Sequence, residues 1–124
     1  MNAAKLHPPI HRSDLRPEHY AAIVDVLSGI EGVQSITLFG SRARGDHRFN
    51  SDVDLLLRGD DLGFAHRAEA FRKLRGLRIS HRIDVLIDRW VSEPAVWANI
   101  EREGVVLWEH PLSPPPPLNP APAA

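Results

Sequence analysis

A chain of 124 residues with 15 basic and 16 acidic side chains carries a net charge of −1, which predicts one domain with no overall electrostatic pull toward nucleic acid. The absence of cysteine excludes disulfides and a thiolate nucleophile, and permits a reducing compartment. No apolar stretch approaches membrane-spanning length, and a polar N-terminus with Pro8-Pro9 is unlike a signal peptide, so no membrane partner and a cytoplasmic location are expected.

Residues 1–16 read as a flexible tail with prolines and two histidines, His7 and His11. Pro17 suits the first position of a helix. Tyr20, Ile23, Val24 and Leu27 then fall on one face, and Gly29 to Gly32 end it. Gln34 to Phe39 reads as a strand, with Ile36 and Leu38 on one face and Thr37 and Phe39 on the other. Gly40 ends that strand and lets the backbone approach a ligand. Ser41 is expected to cap a short helix whose first N–H groups favour phosphate. Arg42 and Arg44 are candidates to neutralise phosphate oxygens through two-pronged hydrogen bonds.

After a spacer of ten residues beyond Ser41 comes Asp52-Val53-Asp54. Residues two apart on a strand share a face, so Asp52 and Asp54 project together and Val53 and Leu55 project the other way. Paired carboxylates repel unless a cation lies between them, and Mg²⁺ commonly takes one or two carboxylates plus substrate phosphates. A solvated strand end has the same spacing, but Leu55-Leu56-Leu57 continues as a buried strand. A second apolar run, Ile83 to Ile87, carries Asp84 in its interior. Such a charge needs a partner or a metal. Asp84 therefore either joins Asp52 and Asp54 or pairs with Arg82 or another arginine, while Asp88 reads as a turn or cap residue.

Between those strands a helix follows Gly63, with Phe64, Ala68, Phe71 and Leu74 as its expected buried stripe and Gly76 closing it. Ser92 is expected to cap a further helix, with Pro94 in the first turn and Val96, Trp97 and Ile100 facing the core. The basic segment 67–82 reads either as a solvated face or as a surface for an acidic partner or RNA. Seven of the eleven prolines lie in the last fourteen residues, so 110–124 is expected to be an extended, disordered tail. The order of elements predicts an α/β domain with a mixed sheet of about four strands and helices packed against it.

Gly40-Ser41, the ten-residue spacer, Asp52-x-Asp54 and the later Asp84 together resemble the DNA polymerase β-type nucleotidyltransferase superfamily. The wording Gly40-Ser41-Arg42-Ala43-Arg44-Gly45-Asp46 and Ser51-Asp52-Val53-Asp54-Leu55 is similar to its minimal branch, the MNT domains, as is the final helix and strand over Asn99 to Trp108. The resemblance spans residues 17–109 and implies a single nucleotidyltransferase-type domain. It implies ATP as substrate, two Mg²⁺ ions on Asp52, Asp54 and Asp84, and a triphosphate held by Gly40, Ser41, Arg42 and Arg44. It also implies an antitoxin that transfers AMP to a tyrosine of a HEPN-type toxin. Two alternatives stand beside it: an antitoxin acting only by binding, and a small-molecule nucleotidyltransferase that completes its site as a homodimer. A DxD glycosyltransferase would explain Asp52 and Asp54 but neither Gly40-Ser41 nor Asp84.

Overall fold

The computed structural model describes residues 14–116. Its elements run α1 (Pro17–Ser28), β1 (Ser35–Phe39), α2 (Ser41–Arg44), β2 (Val53–Arg58), α3 (Phe64–Arg75), β3 (Ile83–Ile87), one 3-10 turn (Asp88–Trp90), α4 (Pro94–Glu103) and β4 (Val105–Glu109). The four strands form one sheet in the order β3-β2-β1-β4. β1 runs antiparallel to both β2 and β4, whereas β2 and β3 are parallel. A parallel pair needs a crossover, and α3 supplies it.

Strand alternation divides the sheet chemically. Ile36, Leu38, Val53, Leu55, Leu57, Val85 and Ile87 enter one core with Ile23 and Leu27 of α1 and Ala70 and Leu74 of α3. The opposite face carries Phe39, Asp54 and Asp84 as direct cross-strand neighbours, with Thr37, Leu56 and Leu86 in the next row. Thr37 and Leu56 are buried there, and Gly104 at the end of α4 lies against Thr37. The helices α1 and α3 thus anchor the apolar face, and the polar end of the other face is left to Asp54 and Asp84.

Three local expectations are corrected. The buried stripe of α3 contains Ala70 and Leu74 with Phe71 partly buried, while Ala68 is exposed and Phe64 is 79% exposed. Phe64 instead stacks on Trp90 at a ring separation of 4.5 Å, and the Arg67 guanidinium sits 4.6 Å over the Phe71 ring. The helix is rotated toward the row 67, 70, 71 and 74, because an arginine's aliphatic stem and planar head can cover an aromatic ring. Gly40 rather than Ser41 occupies the cap position of α2, and Glu93 rather than Ser92 that of α4, in each case with no side-chain cap bond.

The expected tails lie mostly outside the described residues, which exclude 1–13 and 117–124, His7 and His11 among them. Their inner ends are described. Leu15 is 7% exposed and joins the core. Ser113 accepts a hydrogen bond from Gln34 Nε2 at 3.0 Å, and His110 Nδ1 accepts from the amides of Leu112 and Ser113. No described helix is long and apolar enough to cross a membrane.

Candidate active site

The site is built where β1 turns into α2 against the start of β2. Gly40 has φ 76° and ψ −158°, a combination essentially confined to glycine. The turn also presses Gly40 onto Asp54: a Cβ at Gly40 would stand 2.5 Å from Asp54 Oδ2. Any side chain here would displace the carboxylate. Gly40 O accepts hydrogen bonds from the amides of Ala43 and Arg44, which closes the turn of α2. The amides of Ser41 and Arg42 stand in the first turn, where a helix offers N–H groups no internal partner.

Asp54 and Asp84 pair in register on adjacent parallel strands, and Asp52 lies two residues before Asp54. Adjacent strands lie about 4.8 Å apart, so these carboxylates feel one another's charge. Burial, followed by the charges of Asp84 and Asp52, pushes the Asp54 carboxyl above its ordinary value, while Arg44 and Arg82 pull the other way. The ionised form of Asp54 is therefore disfavoured where it stands.

Each flanking carboxylate has found an arginine. Asp84 Oδ1 lies 3.4 Å from Arg67 Nη2 and also accepts the Val85 amide. Arg67 is fixed in turn by donating Nε–H to Val85 O at 2.7 Å. Asp52 Oδ2 lies 4.0 Å from Arg82 Nε. Both aspartates are 50% exposed, and Arg82 is 77% exposed. Exposed pairs of this kind are weak. No three acidic or histidine side chains among the described residues converge on one metal position. The donor set itself is all carboxylate oxygen, the preference of a hard cation such as Mg²⁺. Together with the mutual repulsion at Asp54, that chemistry suits such an ion.

The two arginines of the short helix go to different places. Arg44 is exposed and reaches Asp46 at 3.1 Å and Glu103 at 3.4 Å, close enough to the cluster for its charge to act on Asp54. Arg42 is not brought to the cleft. Its side chain is 1% exposed and pairs with Asp14 at 2.8 Å. It also donates to the carbonyls of Ser51 at 3.0 Å, Phe49 at 3.0 Å and Arg48 at 3.4 Å. Burial raises the Asp14 carboxyl, but bonds from Arg42 and the Leu15 amide, with the charges of Arg42 and His47, outweigh it and hold Asp14 below its ordinary value.

Arg67 and Asp14 are the charged neighbours that sequence reasoning did not single out, and Arg82, expected as a partner for Asp84, pairs with Asp52 instead. The basic run over 67–82 was the available signal for Arg67. A cleft of about 190 Å³ is lined by Asp52 with Phe49, Asn50, Ser80, His81 and Arg82.

A profile described as polymerase beta, nucleotidyltransferase matches residues 21–111, which contain every element from β1 to β4. A Methanocaldococcus jannaschii protein provisionally designated a protein adenylyltransferase is 29% identical over 73 residues, 57% of this chain and 73% of its own. The crystal structure of a toxin–antitoxin with AMP-PNP contains a chain that superposes with a TM-score of 0.62 at 27% identity, with 75% of each chain covered. The crystal structure of the toxin–antitoxin MntA–HepT contains another, with a TM-score of 0.58 at 25% identity, covering 77% of this chain and 74% of that one.

Proposed function

The chain belongs to the polymerase β nucleotidyltransferase family, and from that premise we propose that it transfers AMP from ATP to a tyrosine hydroxyl of a HEPN-type toxin, acting as an antitoxin in the cytoplasm. The observation that carries the reading is the contact of Gly40 with Asp54, since it joins the phosphate turn and the carboxylate cluster into one cleft. The similarity to an adenylyltransferase-designated protein and to toxin–antitoxin structures, one with AMP-PNP, supports the nucleotide and the partner class. The catalytic unit is residues 17–109, with the segments 1–16 and 110–124 flanking it.

In this reading Asp52, Asp54 and Asp84 hold Mg²⁺. When bound, it offsets phosphate charge and lowers the pKa of the attacking hydroxyl. The Gly40-Ser41 turn binds the triphosphate through the Ser41 hydroxyl and the first amides of α2. Arg44 and Arg82 supply positive charge at the rim as Asp46 and Asp52 release them. The acceptor oxygen bonds to the α-phosphorus while the α–β bridging bond breaks. Asp84 takes the hydroxyl proton, and pyrophosphate leaves.

A second reading, an antitoxin that acts by binding alone, is favoured by the Arg67–Asp84 and Arg82–Asp52 pairs, which engage two of the three carboxylates. One assay separates the two. The chain is incubated with Mg²⁺, α-labelled ATP and a HEPN-type toxin. Label on a tyrosine of that protein, absent with Asp54→Asn, supports transfer. Neutralisation of the partner without label supports binding alone.

A further inference from the structure

We propose that Asp14 and Arg42 form a positioning strut that fixes the loop ahead of Asp52 and so sets where that carboxylate stands; the inference rests on the transfer reading above. Sequence pattern would spend Arg42 on phosphate. The structure spends every edge of its guanidinium elsewhere. Nη1 meets Asp14, Nε meets Ser51 O, and Nη2 meets the carbonyls of Phe49 and Arg48. A planar fork with five donors can clamp one carboxylate and several carbonyls at once, which a lysine cannot.

The clamped loop has further bonds. Among them are Arg48 N to Ser51 Oγ at 2.9 Å and Ser51 N to Arg48 O at 3.0 Å, and His81 Nε2 contacts Phe49 O. Asp52 follows directly, and β2 begins with Val53 N donating to Arg82 O. Arg42 thus ties three carbonyls of the loop to the body of the protein. Arg42 is buried and charged, so it needs Asp14 as its counter-ion. Asp14 is anchored by its neighbour Leu15 in the core, and His47 lies 3.5 Å from its other oxygen. A residue before the first helix thus acts on a carboxylate 38 positions further on without touching the reacting atoms.

The test uses the full chain, Asp14→Asn and Arg42→Lys. Asparagine keeps an acceptor for Arg42 but loses the charge, and lysine keeps the charge but loses the fork. Amide hydrogen exchange is read at Arg48, Ser51 and Val53, with Leu55 and Leu57 as internal references. The strut predicts exchange faster by about tenfold at the first three in both variants, in line with the loss of charge-assisted bonds, and unchanged exchange at the references. It also predicts a lower kcat with the ATP KM unchanged. Unaltered loop exchange in both variants overturns it, and faster exchange in Arg42→Lys alone removes Asp14 from it. A KM that rises in Arg42→Lys and falls in Asp14→Asn places Arg42 on phosphate and overturns it too. If the wild type transfers no nucleotide, the transfer reading fails, and the exchange data alone decide the strut.

Discussion

The Cα of Gly40 lies so close to Asp54 that one added carbon would come within 2.5 Å of a carboxylate oxygen. The glycine of the turn is needed twice, for its positive φ and for the room it leaves Asp54. Phosphate turn and carboxylate cluster are therefore mutually fitted, and a change in one is felt by the other.

Gly40→Ala tests that fit. Forcing a side chain into this backbone region costs about 1–3 kcal/mol before the clash with Asp54 is counted. For a domain of this size each kcal/mol lowers the melting midpoint by about 4–8 °C. The variant should melt several degrees lower and transfer no nucleotide. A variant that melts and transfers like wild type would show that Gly40 and Asp54 are not coupled.

Ser41→Ala addresses the triphosphate. Gly40, not Ser41, holds the cap position of α2, so the Ser41 hydroxyl does not serve as the helix cap. Loss of one hydrogen bond to a charged group is worth about 1.5–3 kcal/mol, or roughly tenfold or more in binding. The ATP KM should rise by that factor while the melting midpoint holds. An unchanged ATP dependence would leave the Ser41 hydroxyl without a role in binding.

The pH dependence of stability should report the carboxylate cluster. The Asp54 carboxyl is raised in the fold, so the native state binds its proton more readily than the unfolded chain does. Its favourable contribution is fully present below about pH 3.9, the unfolded value, and is lost as pH rises through the folded value. Metal-free Asp54→Asn escapes that loss. It should melt above wild type at pH 7, and the gap should close as pH falls toward 4. Asp14 has the opposite sign: its contribution is present above its unfolded value and lost as pH falls through the lowered folded one, equally in both proteins. A gap that is absent at pH 7, or that widens on acidification, contradicts the repulsion at Asp54.

Removing residues after Pro111 deletes the Ser113 hydroxyl that Gln34 reaches, an exposed bond. Exposed changes of this kind usually stay within about 0.5 kcal/mol. The melting midpoint should move by only a few degrees, and ATP–Mg²⁺ binding should hold. A larger loss on differential scanning calorimetry would mean that the segment docks more firmly.

The sheet and the carboxylates were legible because their signals are local. Alternation in 35–39 and 53–58 decides which side chains share a face, and Gly40 marks the turn between them. The basis for placing Asp84 beside Asp54 was an apolar run interrupted by one charge, and the parallel register realises it. What was not legible depends on distance or on helix phase. Nothing near Asp14 announces a partner 28 residues away. Arg42 and Arg44 looked equivalent in sequence, yet at 3.6 residues per turn, positions two apart lie on opposite sides of a helix. Only Arg44 could face the cleft if Arg42 faced the loop. In α3 the apolar Phe64 suggested the buried stripe, but it pairs with Trp90 at the surface instead.

The measurement that bears most directly on the metal–triphosphate site needs no knowledge of the acceptor. It is a thermal melt of wild type and Asp54→Asn, each with EDTA and with Mg²⁺–ATP. A ligand that binds only the folded state stabilises it by about 2.7 kcal/mol at a hundredfold excess over Kd. The wild type should therefore melt several degrees higher with Mg²⁺–ATP, while Asp54→Asn should respond weakly, since an amide is a poor ligand for Mg²⁺. Equal shifts in the two proteins would contradict the placement of Asp54 in a metal–triphosphate site, and with it the transfer of nucleotide at this cleft.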